Sequence, residues 1–191
     1  PEERRSAAEH LKSLYLAAGV PLVVLHPGAN WPHKRWPPQR FAKLGDRLAE
    51  ARGAQIVVTG GPDDAVLAAA VTQEMRRPAT VLAARTSLRE LAAYLEQAHL
   101  VVSNDTGVLH VAAALGRPGV ALYGPTSPAL TGPLGDPWRT VVLHHPDCCP
   151  AIPCYRPDHP AYPGMDAITV DEAFEAATRL LRQTSDMRQE T

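Results

Sequence analysis

Four short stretches of this sequence hold the side chains that anion and nucleotide chemistry requires. The first, His26-Pro-Gly-Ala-Asn-Trp-Pro-His-Lys-Arg-Trp-Pro37, places Lys34 and Arg35 in a loop of small and aromatic residues. There Lys34 can act as a point charge on a diphosphate; the same composition also describes a solvated basic loop packed by its tryptophans. The second, Thr59-Gly-Gly-Pro-Asp-Asp64, puts two glycines and two carboxylates behind an apolar run. It reads as a tight turn into an acidic helix start, or as a carboxylate placed to accept from the two hydroxyls of a ribose. The third, Ser103-Asn-Asp-Thr-Gly-Val-Leu-His110, ends a strand in polar residues and has Gly107 in the first turn of the helix that follows, aiming free backbone N–H groups at whatever lies ahead. A phosphate suits that position; the alternative is that Asn104 or Asp105 caps the helix. His110 falls four residues after Thr106, on the same helical face, where it either reaches the same ligand or is packed. The fourth, Tyr123-Gly-Pro-Thr-Ser-Pro128, is a turn by composition, with Thr126 and Ser127 able to donate to phosphate or to solvate the loop.

Other chemistries lack their signatures. No G-x-G-x-x-G follows a strand, and neither a G-x-x-x-x-G-K-[ST] loop nor a G-x-S-x-G elbow occurs. His144, His145, Cys148, Cys149, Cys154 and His159 crowd into sixteen residues. Adjacent cysteines and a Pro-containing gap are not zinc-ligand spacing, so a reduced, loop-packed cluster is the expectation. An odd three cysteines favours a reducing compartment over a disulfide framework. The net charge of −1 gives no global field to attract nucleic acid or an anionic membrane, and aromatics at 5% are too few for a base-stacking surface. The apolar runs are too short to span a bilayer. The charged Pro-Glu-Glu-Arg-Arg start is no signal peptide, and opening on Pro1 reads as a piece of a longer protein.

The elements that must position these stretches follow from hydrophobic patterning. Continuous apolar runs predict strands near 21–25, 55–59, 80–83, 100–103, 119–123 and 140–144, each covered on both faces. Helical patterns lie between them at 38–52, 63–77, 87–97 and 106–115. Ser87 with Glu90 and Thr169 with Glu172 make capping boxes, the second opening a last amphipathic helix through Leu181, while Gly53 and Gly116 sit at expected helix ends. The alternation predicts an α/β fold: a single Rossmann-like, doubly wound parallel sheet of about six strands. Ligands of such sheets bind beyond the carboxyl ends of the strands, which gathers all four stretches into one cleft. Residues 1–18 read as a helix with no strand before it, striped by Leu11, Leu14, Tyr15 and Ala18. The stretch from Gly124 to Gly164, with ten of the nineteen prolines, reads as a functional or partner-facing excursion.

Taken together, His-Pro-Gly-Ala with Lys34-Arg35-Trp36-Pro37, Thr59-Gly60-Gly61, Ser103-Asn-Asp-Thr-Gly107 with His110, and Tyr123-Gly-Pro-Thr126 resemble glycosyltransferase family 9, the ADP-heptose:lipopolysaccharide heptosyltransferases. The resemblance runs from about residue 20 to about residue 180. It implies the carboxyl-terminal half of a GT-B enzyme, with residues 1–18 as interdomain connecting helix, 19–183 as nucleotide-sugar (donor) binding domain and 184–191 as a polar tail. It implies inverting transfer of a heptose or related sugar, from ADP-heptose or another nucleotide sugar, to a lipopolysaccharide core acceptor. No essential metal is expected. Lys34 would hold the diphosphate leaving group, the N–H groups around Asp105, Thr106 and Gly107 would cradle its phosphates, and His110 would lie close by. Asp64 stands where the family often has a Glu on the ribose. Gly28, Ala29, Arg35, Gly60 and Gly61 complete the expected substrate-binding set. The catalytic base, an Asp of the family's amino-terminal domain, has no counterpart here, so the chain alone should transfer nothing. The lipid-linked saccharide acceptor would be met through that amino-terminal domain. The resemblance also implies a cytoplasmic location, with peripheral contact at the inner membrane. Two rival readings remain at this level: half of a nucleotide-sugar epimerase, and a non-catalytic interaction domain of the same fold.

Overall fold

Leu22, Val23, Val24 and Leu25 are all buried, and successive side chains go to opposite sides of the strand: Val23 and Leu25 join one apolar cluster, Leu22 and Val24 another. A strand apolar on both faces needs cover on both, and the rest of the chain supplies it. The computed structural model describes residues 2–13, 19–148, 152–154 and 163–189. Its elements in chain order are α1 (Glu2–Ser13), β1 (Leu22–His26), α2 (Pro38–Arg52), β2 (Gln55–Val58), α3 (Ala65–Glu74), β3 (Ala79–Val81), α4 (Leu88–Gln97), β4 (Leu100–Asn104), α5 (Gly107–Ala114), β5 (Gly119–Tyr123), α6 (Pro128–Thr131), β6 (Thr140–His144), α7 (Pro163–Ala167) and α8 (Val170–Gln189). The strands form one sheet in the order β3-β2-β1-β4-β5-β6, every pair parallel. From β1 the chain winds outward to β2 and β3, then returns to place β4 on the other side of β1. That reversal opens a crevice between the carboxyl ends of β1 and β4.

One face of the sheet is covered by α2, α3 and α8, with Phe41, Leu44, Leu48, Val71 and Leu180 among its buried residues. The other is covered by α1, α4 and α5, with Ala7, Leu11, Leu91, Leu95 and Ala112. The helix ends follow the expected chemistry. Gly53 closes α2 at φ 62°, a left-handed conformation that costs a glycine little. Ser87 and Glu90 form the capping box of α4, and Thr169 and Glu172 exchange the same pair of bonds at the start of α8.

Three expectations shift. The helix expected over 63–77 begins as a 3₁₀ turn at Pro62–Asp64 and ends at Glu74, because Asp46, 3% exposed, takes the backbone N–H groups of Arg76 and Arg77 and turns the chain toward β3. The last helix continues past Leu181 to Gln189, through residues expected to form a polar tail. The proline-rich excursion is folded beyond its expected strand, β6: it also forms α6, and its α7 packs Met165 against Gly124. Of the first helix, residues 14–18, with Leu14, Tyr15 and Ala18, lie outside the described residues; α1 packs on α4 through Ala7 and Leu11.

Candidate functional site

The four stretches arrive where the sheet order sends them. The loop after β1 turns through a short 3₁₀ segment, Pro32–Lys34, and enters α2 with Pro37 at the N-cap and Pro38 at N1, where the missing proline N–H costs nothing. Trp36 is fully buried, its indole N–H donating to the Ile168 carbonyl at 2.9 Å and its ring edge-on to Phe41. This anchor turns the neighbouring Lys34 inward. The lysine Nζ lies 2.6 Å from Asp105 Oδ2, with the two side chains 14% and 7% exposed. Its ammonium also stands 5.8 Å from the centre of the Trp31 ring. Thr126, buried in the turn after β5, donates its hydroxyl to the same Asp105 oxygen at 2.7 Å. One carboxylate thus gathers the loops after β1, β4 and β5. Tyr123, below that turn, donates its hydroxyl to the Thr131 carbonyl; burial, with the Asp105 charge second, pushes its ionisation well above the ordinary range.

Beside this ion pair lies a cleft of about 650 Å³. The β1 side contributes His26, Ala29 and Arg35; the β2 side Gly60, Gly61 and Asp64; α4 and its entry Thr86, Leu88 and Leu91; α5 Thr106, Gly107, Val108 and Val111. Thr106 is the N-cap of α5, yet its side chain makes no capping bond, so the N–H groups of the first turn face the cleft without that competitor. Neither Asn104 nor Asp105 caps the helix. Asp64 accepts from the Gly61 N–H at 2.9 Å and packs so closely under the glycines that a Cβ on Gly28 would meet its carboxylate oxygen at 2.4 Å, and one on Gly60 would meet its Cβ at 2.6 Å. A Cβ on Gly60 has no room, whereas one on Gly28 would displace the Asp64 carboxylate.

His26 forms part of the cleft floor, 5% exposed, with Nδ1 3.1 Å from Thr59 Oγ1. Burial drives its pKa down to about 4, opposed by the Asp64 charge, so it is neutral at physiological pH.

The structure brings Ala29, Arg35, Gly60, Gly61, Asp64, Thr106 and Gly107 together around the cleft, whereas Gly28, Lys34 and Asp105 do not line it: Gly28 packs on Asp64, and Lys34 and Asp105 pair with each other one residue along the chain from the lining residues Arg35 and Thr106. Arg35 spends Nε and Nη2 on the Ala29 carbonyl, at 3.0 and 2.8 Å, and so braces its own loop. His110 is exposed on α5 and does not line the cleft. Three residues were not singled out by spacing: His26, Asn104 beyond its capping role, and Thr126 as partner of Asp105. A histidine closing a strand otherwise buried on both faces was the available signal for the first; for the others the contacts are purely tertiary. Among the described residues no group of three or more His, Cys, Asp or Glu side chains is placed to hold a metal ion; Cys149 and His159 of the expected cluster lie outside them, and Cys154 is buried as a free thiol.

Comparison with known proteins adds the following. The profile of glycosyltransferase family 9 (heptosyltransferase) matches residues 1–154. Lipooligosaccharide heptosyltransferase 2 of Haemophilus influenzae is 39% identical over 129 residues, 65% of this chain and 37% of that protein. The solved structure of E. coli ADP-heptose LPS heptosyltransferase II superposes with a TM-score of 0.80 at 28% identity, over 96% of this chain and 52% of that one. A family 9 glycosyl transferase from Veillonella parvula gives 0.82 at 30% identity, again over 96% and 52%. The chain thus spans between about a third and a half of the length of these relatives.

Proposed function

Because the chain belongs to glycosyltransferase family 9, the heptosyltransferase family, we propose that it is the carboxyl-terminal, donor-binding half of an inverting glycosyltransferase that moves a heptose from ADP-heptose to a lipopolysaccharide core acceptor. The observation that carries this reading is the seat of Lys34: its ammonium is turned into the fold, 2.6 Å from Asp105 at the entry to α5, rather than out to water. On this reading that positive charge and the N-terminus of α5 act together on a departing diphosphate.

On this reading the nucleoside occupies the cleft. Its base lies along Leu88, Leu91, Val108 and Val111, its ribose hydroxyls donate to Asp64, and its phosphates reach across the first turn of α5 toward Lys34. As the bond between sugar and diphosphate breaks, negative charge grows on the leaving oxygen. Lys34 and the amides of Thr106 and Gly107 stabilise that charge without having to reorganise, a contribution whose loss typically costs on the order of 10²–10³ in rate. Asp105, held by Thr126, sets the position from which Lys34 meets the phosphate. The acceptor hydroxyl must lose a proton to a base, which this reading assigns to an amino-terminal partner domain. The chain by itself then binds nucleotide and transfers nothing. α1 would connect the two domains, and residues 19–183 would form the donor domain. No described helix is long and apolar enough to cross a membrane; the reading places the enzyme in the cytoplasm, against the membrane that carries its lipid-linked acceptor.

The test is a transfer assay on the chain joined to its amino-terminal half, with ADP-heptose and a heptose-free core acceptor. Release of ADP with extension of the acceptor supports the reading. Conversion of the donor to a stereoisomer without extension would replace it with an epimerase, and no effect of the donor at all would leave an interaction domain.

A further inference from the structure

Asn104 is wholly buried at the last position of β4, and both ends of its amide are used. Oδ1 accepts from the backbone N–H of Trp36 at 3.1 Å, while Nδ2 donates to the carbonyls of Pro27 at 2.8 Å and Gly28 at 3.3 Å. Pro27–Gly28 and Trp36 are the two ends of the loop that carries Lys34. A single side chain therefore closes that loop from both sides, and an amide is the one side-chain type that supplies acceptor and donors in this fork. The next residue, Asp105, receives the Lys34 ammonium. One strand end fixes where the lysine starts and where its charge arrives.

We propose that Asn104 is a positioning residue for the anion site: it acts on the diphosphate through Lys34, by holding the 27–36 loop in the one conformation that keeps the ammonium at the entry to α5. The assignment rests on the donor-binding reading above. A loop without this latch must be ordered when the anion binds, and that ordering entropy comes out of the affinity. A residue that only packed the interior would lower stability and leave the anion site indifferent to whether Lys34 is present.

ADP affinity of the 191-residue chain, measured by calorimetry in a double-mutant cycle, separates the two. Asn104→Ala should weaken ADP about tenfold in the wild-type background, the size expected for one lost buried hydrogen-bonding site, and less than about twofold in Lys34→Ala. Equal losses in both backgrounds overturn the proposal. Asn104→Asp gives a second readout in a side chain of the same size. As a carboxylate it turns an acceptor toward the Pro27 and Gly28 carbonyls; as the neutral acid it regains a donor. Its affinity relative to wild type should therefore recover as pH falls, and a pH-independent ratio overturns the proposal. Should wild type bind no ADP, the donor-binding reading fails, and the latch is judged by amide exchange. Asn104→Asp at neutral pH should speed exchange at Lys34 and Trp36 while β2 and β3 are unchanged; unchanged exchange in the loop refutes the latch itself.

Discussion

Substituting Gly28 by Ala tests how the loops after β1 and β2 depend on one another. The added Cβ would lie 2.4, 2.6 and 2.8 Å from Oδ2, Cγ and Oδ1 of Asp64, its three nearest neighbours. An ordinary carbon–oxygen contact is about 3.3–3.6 Å, so the carboxylate must retreat by about 1 Å. That retreat takes Oδ2 off the Gly61 N–H, which it now accepts from at 2.9 Å. Overpacking of this kind costs about 1–3 kcal/mol. Asp64 is only half-buried and can swing outward, which places the expected cost near the lower half, about 1–2 kcal/mol, or roughly 2–8 °C in Tm for a chain of this size. Urea unfolding of Gly28→Ala, Asp64→Ala and the double variant measures it. With the carboxylate gone the added methyl has room, so Gly28→Ala should cost under about 0.5 kcal/mol in the Asp64→Ala background. A cost equal in both backgrounds would show that Gly28 is constrained by something other than Asp64, and the account of the two loops would be wrong. The same steric logic predicts that Gly60→Ala, whose Cβ meets the Asp64 Cβ at 2.6 Å, costs more than Gly28→Ala, since a Cβ cannot swing away.

The neutral His26 makes stability depend on pH. Its folded pKa is about 4 against an ordinary 6.5, so between those values the unfolded chain holds a proton that the folded chain lacks. Its contribution is full above pH 6.5 and falls as pH drops through that window, by about 3 kcal/mol in all. Urea midpoints at pH 7 and pH 4 should therefore fall further for wild type than for His26→Gln, and parallel curves would disprove the assignment. Lys34→Ala removes the charge partner of a buried carboxylate and should cost about 3 kcal/mol in unfolding experiments; in the two-domain enzyme it should lower kcat by about 10²–10³, and near-normal turnover would remove Lys34 from the site. Asp46→Ala leaves the N–H groups of Arg76 and Arg77 without their carboxylate and should destabilise by about 2–3 kcal/mol. Because Asp46 lies away from the cleft, ADP affinity should not change, which makes this variant a control for stability effects.

Much of the fold was legible because its strands are short, apolar and evenly separated by capped helices. β5, β6 and α2 fall where hydrophobic patterning puts them, and the other strands differ by a residue or so at their ends. Boundaries shifted where a distant side chain intervened, as when Asp46 ends α3 early, a contact that no local pattern encodes. For the candidate site, the strand-end rule pointed to stretches that the fold does bring to one end of the sheet, since glycines and polar residues after buried runs are a local signal. It could not assign partners. Asp105 and Asn104 both looked like candidate caps; in the fold Asp105 takes Lys34 and Thr126, and Asn104 takes the backbone of the loop after β1. These pairings span 20 to 80 residues of sequence and exist only because β1, β4 and β5 are neighbours. Likewise Arg35, expected in the substrate-binding set, gives two of its N–H groups to the Ala29 carbonyl.

If a diphosphate rests between Lys34 and the opening turn of α5, crystals of the chain soaked with ADP should show phosphate density within hydrogen-bonding distance of the Lys34 ammonium and the Gly107 N–H, with the ribose against Asp64. ADP bound elsewhere, with Lys34 unmoved on Asp105 and the α5 amides untouched, would rule that seat out.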